Sequence, residues 1–314
     1  MIGVLLMAYG SPAGPEDLEA YYTHIRGGRR PSPEMLADLA ARYRAIGGRS
    51  PLLDVTQRQA EGLQARLDRE APGRYRVYIG MKHSPPFIAE VIAAMAADGL
   101  REGVGLALAP HYSRMSIGTY IGTAEAARRR LTPPLAMRYV QRWGEHPRLI
   151  DALADRLQAA MATLPDDERT ETPVIFTAHS LPEKILAWGD PYPEELRRTA
   201  EAVAARAGIR RWVFAYQSAG RSADPWLGPD VAEAIRRLHG SGARSVAVCT
   251  VGFIADHLEV LYDLDIEAKG LAGSLGLRFV RAGSLNDHPL LIEALSDLVQ
   301  HHAVEPPADA VAAH

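Results

Sequence analysis

The sequence predicts an α/β protein made of two similar domains, each with a parallel sheet of the doubly wound kind. Three observations lead to this fold class: apolar runs of strand length recur, helical patterns separate them, and one strand-to-turn motif occurs twice. Strands that alternate with helices form parallel sheets, because each helix returns the chain to the edge where the preceding strand began. The 314 residues are 47% hydrophobic, which is sufficient for packed cores in two domains.

Seven apolar runs have the length of buried strands, and none approaches the roughly 18 apolar residues that a membrane-spanning helix needs. Most of them lack polar alternation, which is typical of parallel strands covered on both faces. In chain order the runs cover residues 4–8, 75–79, 103–109, 174–178, 212–215, 245–251 and 277–280. Both halves of the chain therefore contain enough strands for a sheet.

Two segments between these runs have apolar residues at i, i+3, i+4 and i+7, the spacing of one face of an α-helix. The first set is Ile88, Val91, Ile92 and Met95, and the second is Ile150, Leu153, Ala154 and Leu157. Ser84-Pro85-Pro86 precedes the first set and Gly99 follows it, and such residues begin and end helices. Both segments are predicted to be helices.

A similar strand-to-turn motif occurs once in each half. Leu6-Met7-Ala8-Tyr9-Gly10-Ser11-Pro12 resembles Thr177-Ala178-His179-Ser180-Leu181-Pro182, and in each a buried strand ends in a polar ring and a turn with serine and proline. We place the domain boundary in the polar turn Gly144-Glu145-His146-Pro147, which gives domains of residues 1–145 and 146–303. The last helical pattern, residues 290–299, can pack on either domain. Residues 304–314, rich in proline and alanine, are expected to form a disordered tail.

Charge, cysteine content and missing motifs argue against several classes of protein. The formal net charge of −3 lacks the basic excess of proteins that bind nucleic acid or anionic membranes, so we expect neither partner. The single cysteine, Cys249, argues against intrachain disulfides, cysteine-rich zinc sites and iron-sulfur clusters. Walker A, Gly-x-Gly-x-x-Gly, His-Glu-x-x-His and Gly-x-Ser-x-Gly sequences are absent. The short apolar N-terminus lacks a basic segment, which argues against a secretory signal and predicts a cytoplasmic protein.

His179 directly follows the predicted strand 174–178, at the carboxyl edge of a sheet, where α/β proteins bind ligands. An imidazole at this edge can serve as a metal ligand or as a base near neutral pH. The alternative is a histidine that only hydrogen-bonds backbone groups. The following Ser180-Leu181-Pro182-Glu183 fits a helix-capping box, so these residues have a structural explanation that His179 lacks.

Three acidic residues follow the predicted strand 245–251. On an α-helix Glu259, Asp263 and Glu267 stack at i, i+4 and i+8, about 6 Å apart along the axis. Like charges at this spacing oppose helix stability, so the arrangement points to a cation or protons as partners. The alternative is a solvated acidic stripe with no ligand.

Arginines cluster in the N-terminal half, in Thr23-His24-Ile25-Arg26-Gly27-Gly28-Arg29-Arg30, in Arg42-Tyr43-Arg44 and in Gly47-Gly48-Arg49-Ser50-Pro51. Arginine binds carboxylates in a bidentate manner and tyrosine stacks on flat rings, so these segments suit a flat, anionic, partly apolar ligand. Nucleic acid and ordinary solvated loops are the competing interpretations. Because Tyr9, His111, His179 and residues 252–257 all follow strand ends, we expect one ligand cleft between the domains.

Several longer segments resemble a known family. Residues 174–184, Asp224-Pro225-Trp226-Leu227-Gly228-Pro229 and Val251-Gly252-Phe253-Ile254-Ala255-Asp256-His257-Leu258-Glu259 closely resemble the signature segments of ferrochelatases. Residues 7–12, 21–26 and 42–48 are similar to the water-soluble bacterial branch of that family, which metallates coproporphyrin III. The resemblance spans nearly the whole chain, and its motifs are long and specific.

The resemblance implies the chelatase-like fold: two similar Rossmann-like domains, each a four-stranded parallel sheet flanked by helices, with a porphyrin cleft between them. It implies that His179 and Glu259 are catalytic and bind the metal, and that Asp263 and Glu267 belong to an outer metal or proton relay. It also implies that Tyr9 is an axial ligand to the metal of the product. The residues implied to contact the macrocycle or its propionates are Arg26, Arg42, Tyr43, Ser50 and Tyr120.

The implied activity is insertion of Fe²⁺, as a substrate, with no permanently bound cofactor and no iron-sulfur cluster. The asparagine- and glycine-rich motif of protoporphyrin-type enzymes is replaced by Met7-Ala8-Tyr9-Gly10, and neither an apolar membrane-docking extension nor a C-terminal cysteine cluster occurs. We therefore expect conversion of coproporphyrin III to Fe-coproporphyrin (coproheme) in haem biosynthesis. The alternatives are a protoporphyrin IX ferrochelatase, a related cobalt or nickel tetrapyrrole chelatase, and a non-catalytic haem or metal carrier. A monomer in transient contact with neighbouring enzymes of haem biosynthesis is expected.

Overall fold

The computed structural model describes residues 1–220 and 224–304, so the predicted tail lies, from residue 305 onward, outside the described residues. The described chain forms two four-stranded parallel sheets flanked by helices, which confirms the predicted fold class. The chain packs into two compact units. The first unit comprises Met1–Ala109, Ser116–Arg142 and the described chain from Leu291, and the second comprises Pro110–Met115 and Trp143–Leu290.

The first unit contains the sheet β2-β1-β3-β4, whose strands are β1 (Ile2–Ala8), β2 (Tyr75–Met81), β3 (Glu102–Ala107) and β4 (Ala136–Val140). Every residue of β1 is buried, because this inner strand is covered on both faces. The helices of this unit are α1 (Leu18–Ile25), α2 (Pro33–Ala45), α3 (Leu52–Glu70), α4 (Ile88–Ala97) and α5 (Ile117–Arg128), together with most of the last helix. A short 3₁₀ turn, Pro15–Asp17, precedes α1.

The predicted apolar runs do not include β4. This strand lies at the edge of its sheet and carries Arg138, whose Nη1 atom is 3.1 Å from Oε2 of Glu102 on β3. An edge strand accommodates a charged side chain because one of its sides is not covered by another strand. Arg138 leaves only two apolar residues on either side of it within β4, which is too few to mark a strand by hydrophobicity alone.

The second unit contains the sheet β6-β5-β7-β8, whose strands are β5 (Val174–His179), β6 (Trp212–Gln217), β7 (Ser245–Thr250) and β8 (Arg278–Arg281). Its helices are α6 (Pro147–Met161), α7 (Asp166–Arg169), α8 (Lys184–Ala187), α9 (Tyr192–Ala207), α10 (Val231–Gly240), a π-helix (Val260–Ala268) and α11 (Lys269–Ser274). Helix α12 (Pro289–Ala303) follows. The fully buried β7 packs in a core with Ile175 of β5 and the apolar side of the π-helix.

Both predicted helical patterns form helices, as parts of α4 and α6. The predicted capping box after His179 is wrong, because α8 begins only at Lys184 and the Ser180 hydroxyl donates to the Leu227 carbonyl at 2.8 Å. Within the described ranges, no helix is long and apolar enough to cross a bilayer.

Helix α12 belongs to the first unit from Leu291 onward. The Arg66 Nη1 atom of α3 lies 3.2 Å from Glu293 Oε1, and the Ser296 hydroxyl donates to Glu70 Oε2 at 2.8 Å. A Cβ atom on Gly62 would lie 3.2 Å from the Ile292 side chain, so α3 and α12 pack closely there. The chain passes from the first unit to the second after Arg142, beside the turn in which we placed the domain boundary.

The short segment Pro110–Met115 follows β3 but belongs to the second unit. Its backbone is held by α9 and the residues just before it: Tyr112 N donates to Glu195 Oε2 at 2.8 Å, and Arg114 N donates to Asp190 Oδ2 at 2.8 Å. His111 Nε2 lies 2.8 Å from the Thr199 hydroxyl, and burial lowers the pKa of His111 to about 3, so this imidazole is neutral. The sequence pattern did not predict this excursion of the chain.

Candidate functional site

His179 is the last residue of β5 and projects its imidazole at the carboxyl edge of the second sheet. Its Nδ1 atom donates to the Ser180 carbonyl, since a carbonyl oxygen can only accept. Its own carbonyl accepts a hydrogen bond from the Tyr192 hydroxyl at 3.0 Å. His179 can therefore hydrogen-bond the backbone through Nδ1 and still bind a metal or accept a proton through Nε2.

Glu259 directly precedes the π-helix, and its carboxylate lies between two imidazoles. Glu259 Oε2 is 3.6 Å from His179 Nε2 and 3.5 Å from His257 Nε2. His257 repeats the arrangement of His179, because its Nδ1 atom donates to the Ala255 carbonyl at 3.0 Å. Two imidazole nitrogens and a carboxylate oxygen thus converge, and such a set of acceptors needs protons or a cation to be stable.

The electrostatics of the site favour an ionised Glu259. Burial alone would raise the pKa of Glu259, but the charges and hydrogen bonds of His179 and His257 outweigh it and hold the pKa well below its usual range. Burial would lower the pKa of His179, and the facing Glu259 carboxylate reverses this and raises it. The side chains of His179 and Glu259 remain 32% and 38% exposed, so a solute can reach them.

The chemistry of these donors fits a borderline divalent cation such as Fe²⁺, Zn²⁺ or Co²⁺, which bind imidazole and carboxylate. Histidine ligands of metals usually donate their second ring nitrogen to a carbonyl or carboxylate, as His179 and His257 both do. In residues 1–220 and 224–304, no group of three or more His, Cys, Asp or Glu side chains has the geometry to hold a metal ion, so Glu259 contacts His179 and His257 pairwise and the three side chains form no closed metal cage. The arrangement is that of an accessible site.

The three predicted carboxylates lie at the start of and along a π-helix, so the expectation of an α-helix is wrong for this segment. A helix with i→i+5 hydrogen bonds has more residues per turn than an α-helix, and residues four apart still lie near one face. Asp263 accepts a hydrogen bond from the Ser218 hydroxyl, and Glu267 is exposed near the end of the π-helix. The structure brings Glu259 to His179 and leaves Asp263 and Glu267 farther along the same helix.

Two residues near this pair were not singled out by sequence analysis. His257 lies within one of the family's signature segments, but only the structure shows that its imidazole shares the Glu259 carboxylate. The Phe253 ring lies beside both imidazoles, with its centroid 6.2 Å from that of His179 and 4.7 Å from that of His257. Its apolar face limits the directions from which water can reach the two rings.

In the first unit, Tyr9 follows β1 and is 42% exposed. Its ring centroid lies 4.6 Å from that of His83. The ammonium of Lys82 lies 5.9 Å from the Tyr9 ring centroid and 5.1 Å from that of Tyr120, and donates to the Thr119 hydroxyl at 2.8 Å. Tyr9, the predicted axial ligand to the metal of the product, and Tyr120, a predicted porphyrin contact, therefore flank one cation that the sequence did not single out.

Lys82 is partly buried, and burial lowers its pKa. No carboxylate within the described ranges pairs with it; its partners are the two rings and the Thr119 hydroxyl. A partly buried cation is costly unless an anion compensates it, so Lys82 marks a place suited to an anionic ligand. The neighbouring His83 is neutral, because burial and the charges of Lys82 and His24 lower its pKa to about 4.

The remaining predicted porphyrin contacts differ in accessibility. The guanidinium of Arg26 lies 5.9 Å from the Tyr22 ring centroid and donates to the Arg29 carbonyl. The Arg42 side chain pairs with Asp38, and 30% of the Arg42 side chain is exposed. Tyr43, Ser50 and Tyr120 are buried, so each offers a ligand only a small part of its surface. These five assignments remain predictions.

Comparisons with known proteins show the family to which the chain belongs. The sequence matches the ferrochelatase family over residues 1–303. It is 44% identical to a ferrochelatase of Herpetosiphon aurantiacus over 296 residues, 94% of this chain and 97% of the relative. It is 45% identical to a coproporphyrin III ferrochelatase of Anoxybacillus flavithermus over 304 residues, 96% of each chain. A cobalt complex of the sirohydrochlorin chelatase SirB from Bacillus subtilis subspecies spizizenii shares the fold, with a TM-score of 0.56, 12% identity and coverage of 96% of both chains.

Proposed function

Because the chain belongs to the ferrochelatase family, we propose that it inserts Fe²⁺ into coproporphyrin III and yields Fe-coproporphyrin in haem biosynthesis. The observation that carries the proposal is the accessible Glu259 carboxylate, which lies within 3.6 Å of the Nε2 atoms of both His179 and His257. Fe²⁺ enters as a substrate, and the proposed reaction requires no resident cofactor.

Metal insertion releases two pyrrole protons, so the site needs a metal-binding group and a base. Glu259, whose pKa is low, is ready to receive the cation. The raised pKa of His179 keeps a proton on the imidazole while Glu259 faces it alone. A divalent cation at Glu259 would lower the affinity of His179 for that proton, which would leave to solvent because the side chain is 32% exposed. The neutral imidazole could then take the two pyrrole protons one after the other and pass the first to solvent before accepting the second.

The preference for coproporphyrin III rests on its four propionates and on the names of the relatives. Lys82, Arg26 and Arg42 supply cations in the first unit, and Lys82 has no carboxylate partner in the described chain. A tetracarboxylate porphyrin can compensate several such charges, whereas protoporphyrin IX has two carboxylates. We also propose that the protein acts in the cytoplasm as a monomer and meets neighbouring enzymes of haem biosynthesis transiently.

An anaerobic insertion assay that compares coproporphyrin III with protoporphyrin IX tests the substrate. Repeated turnover with a clear preference for coproporphyrin III is expected. A preference for protoporphyrin IX would correct the substrate, and a single equivalent of bound haem without turnover would indicate a carrier. Insertion of Co²⁺ or Ni²⁺ into a reduced tetrapyrrole, with no Fe²⁺ insertion, would indicate the other chelatase class.

His179→Ala tests the site itself. Removal of a general base costs about 10²- to 10⁴-fold in rate, while porphyrin binding should persist. His239→Ala, which removes an exposed imidazole on α10, is the matched control and should leave turnover unchanged. Turnover of His179→Ala above about a tenth of the wild-type rate would contradict the assigned role.

A further inference from the structure

Arg281, at the end of β8, binds two carboxylates that flank Glu259 in the sequence. Its Nε and Nη2 atoms donate to the two oxygens of Asp265 at 2.7 and 2.8 Å, and its Nη1 atom donates to Asp256 Oδ1 at 3.3 Å. Only 12% of the Arg281 side chain is exposed. A largely buried, bidentate arginine-carboxylate pair fixes geometry more strictly than an exposed ion pair does.

Asp256 precedes Glu259 in the loop that carries His257, and it is held from a second side. The Ser284 hydroxyl donates to Asp256 Oδ1 at 2.7 Å, and the Asn286 amide donates to Asp256 Oδ2 at 2.9 Å. The Asn286 side-chain oxygen in turn accepts from the Asp256 backbone N at 2.8 Å. The Asn286 backbone has a φ of 50°, a left-handed conformation that asparagine tolerates. The segment leading into Glu259 is therefore fixed at one point.

Asp265 lies within the π-helix, beyond Glu259. A π-helix advances by a smaller angle per residue than an α-helix, so a change of helix type would rotate Glu259 relative to Asp265. The apolar residues Val260, Leu264 and Ala268 anchor the helix in the core, but their spacing of four residues suits either helix type. The ion pair between Arg281 and Asp265 therefore fixes the rotation of the helix at Asp265, which the core packing alone does not do.

We propose that Arg281 is a positioning residue for metal insertion: by holding Asp256 before Glu259 and Asp265 after it, Arg281 keeps the Glu259 carboxylate facing His179. This inference rests on the proposed function for its role in turnover. Its geometric part concerns metal binding alone and is testable without a porphyrin.

The variants are Arg281→Met, which removes both ion pairs, and Arg281→Lys, which keeps the charge but cannot make the bidentate contact with Asp265. Arg278→Met is the matched control, because Arg278 lies on the same strand and its pair with Glu168 is 54% exposed on the arginine side. Asp265→Asn breaks only the helix end of the arrangement. It serves as the second variant if Arg281→Met does not fold.

Three quantities are measured for each full-length variant: the Co²⁺ affinity and absorption spectrum without porphyrin, the kcat and KM for Fe²⁺ with coproporphyrin III, and the dissociation constant of coproporphyrin III. Loss of groups that orient metal ligands typically costs about 10- to 100-fold in metal affinity or activity. We expect that loss for Arg281→Met, with a changed Co²⁺ spectrum and unchanged porphyrin affinity. Asp265→Asn should show a similar loss of Co²⁺ affinity and Fe²⁺ turnover. Arg281→Lys should lose less than Arg281→Met, and Arg278→Met should match the wild type.

Wild-type Co²⁺ affinity and Fe²⁺ kinetics in folded Arg281→Met, or in Asp265→Asn if the former does not fold, would overturn the proposal. So would an equal loss of metal and porphyrin affinity together with a lower melting temperature, since that marks general destabilisation. If the wild-type protein inserts no Fe²⁺ into any porphyrin, the proposed function fails. The Co²⁺ titrations still decide the geometric role of Arg281 in that case.

Discussion

Replacing Lys82 by methionine should weaken coproporphyrin binding without destabilising the protein. Lys82 is a partly buried cation between the Tyr9 and Tyr120 rings, and no carboxylate of the described chain compensates it. Methionine keeps an unbranched side chain of similar length and can still pack against the two rings. The substitution therefore removes the charge and the hydrogen bond to Thr119 but little of the packing.

The size of the effect follows from the bond that Lys82 would make to a propionate. A hydrogen bond to a charged group contributes about 1.5–3 kcal/mol net, and 1.4 kcal/mol is tenfold in Kd, so Lys82→Met should raise the Kd roughly 10- to 100-fold. Fluorescence titration with coproporphyrin III measures this change. Lys82→Arg should retain most of the affinity, and Lys269→Met, which removes an exposed lysine, is the matched control.

Lys82→Met should weaken porphyrin binding but should not lower the melting temperature of the ligand-free protein. Because burial lowers the pKa of Lys82, the folded protein holds this proton less tightly than the unfolded chain does. The resulting penalty is present below the lowered pKa and disappears as the pH rises through the ordinary value of 10.5. Lys82→Met should thus be at least as stable as the wild type at neutral pH. A lower melting temperature together with an unchanged Kd would refute the reasoning and make Lys82 structural.

Three further predictions concern residues around the two sites. His257→Gln removes one of the imidazoles that lower the pKa of Glu259, so the Glu259 carboxylate signal in NMR should titrate at a higher pH than in the wild type; an unmoved titration would contradict the pairing. Arg26→Ala should raise the coproporphyrin Kd by only about two- to fivefold, as for an exposed ion pair, and an unchanged Kd would remove Arg26 from the propionate site. Tyr9→Phe should change the absorption spectrum of bound Fe-coproporphyrin if Tyr9 is its axial ligand, whereas an identical spectrum would exclude that ligation.

The buried strands of both sheets could be predicted because their residues are apolar on both faces. β1, β5 and β7 each form a nearly continuous apolar run, whereas β4, with only two apolar residues on either side of Arg138, was not predicted. The two-sheet fold followed from the alternation of these runs with helices. The assignment of Pro110–Met115 to the second unit could not be predicted, because backbone hydrogen bonds to distant carboxylates leave no periodic pattern in the sequence.

The proximity of His179 and Glu259 was predictable, because His179 ends β5 and Glu259 follows β7, and the carboxyl ends of both strands lie at one edge of the sheet. Their roles in metal insertion remain predictions. The π-helix was not, because side chains spaced by four residues fit an α-helix equally well. Lys82 was missed for a different reason. A lone lysine beside a strand end looks like a solvated charge until the structure shows two rings around it and no carboxylate among the described residues.

The division of the chain into interleaved units has a consequence for its biosynthesis. The first unit includes α12, and the second unit includes Pro110–Met115, so neither unit is one continuous stretch of polypeptide. The N-terminal strands leave the ribosome long before α12 is made, and the contacts of Gly62 and Glu70 with that helix must wait until α12 has emerged. A nascent chain arrested after residue 145 would expose this uncovered surface of α3 to chaperones and proteases.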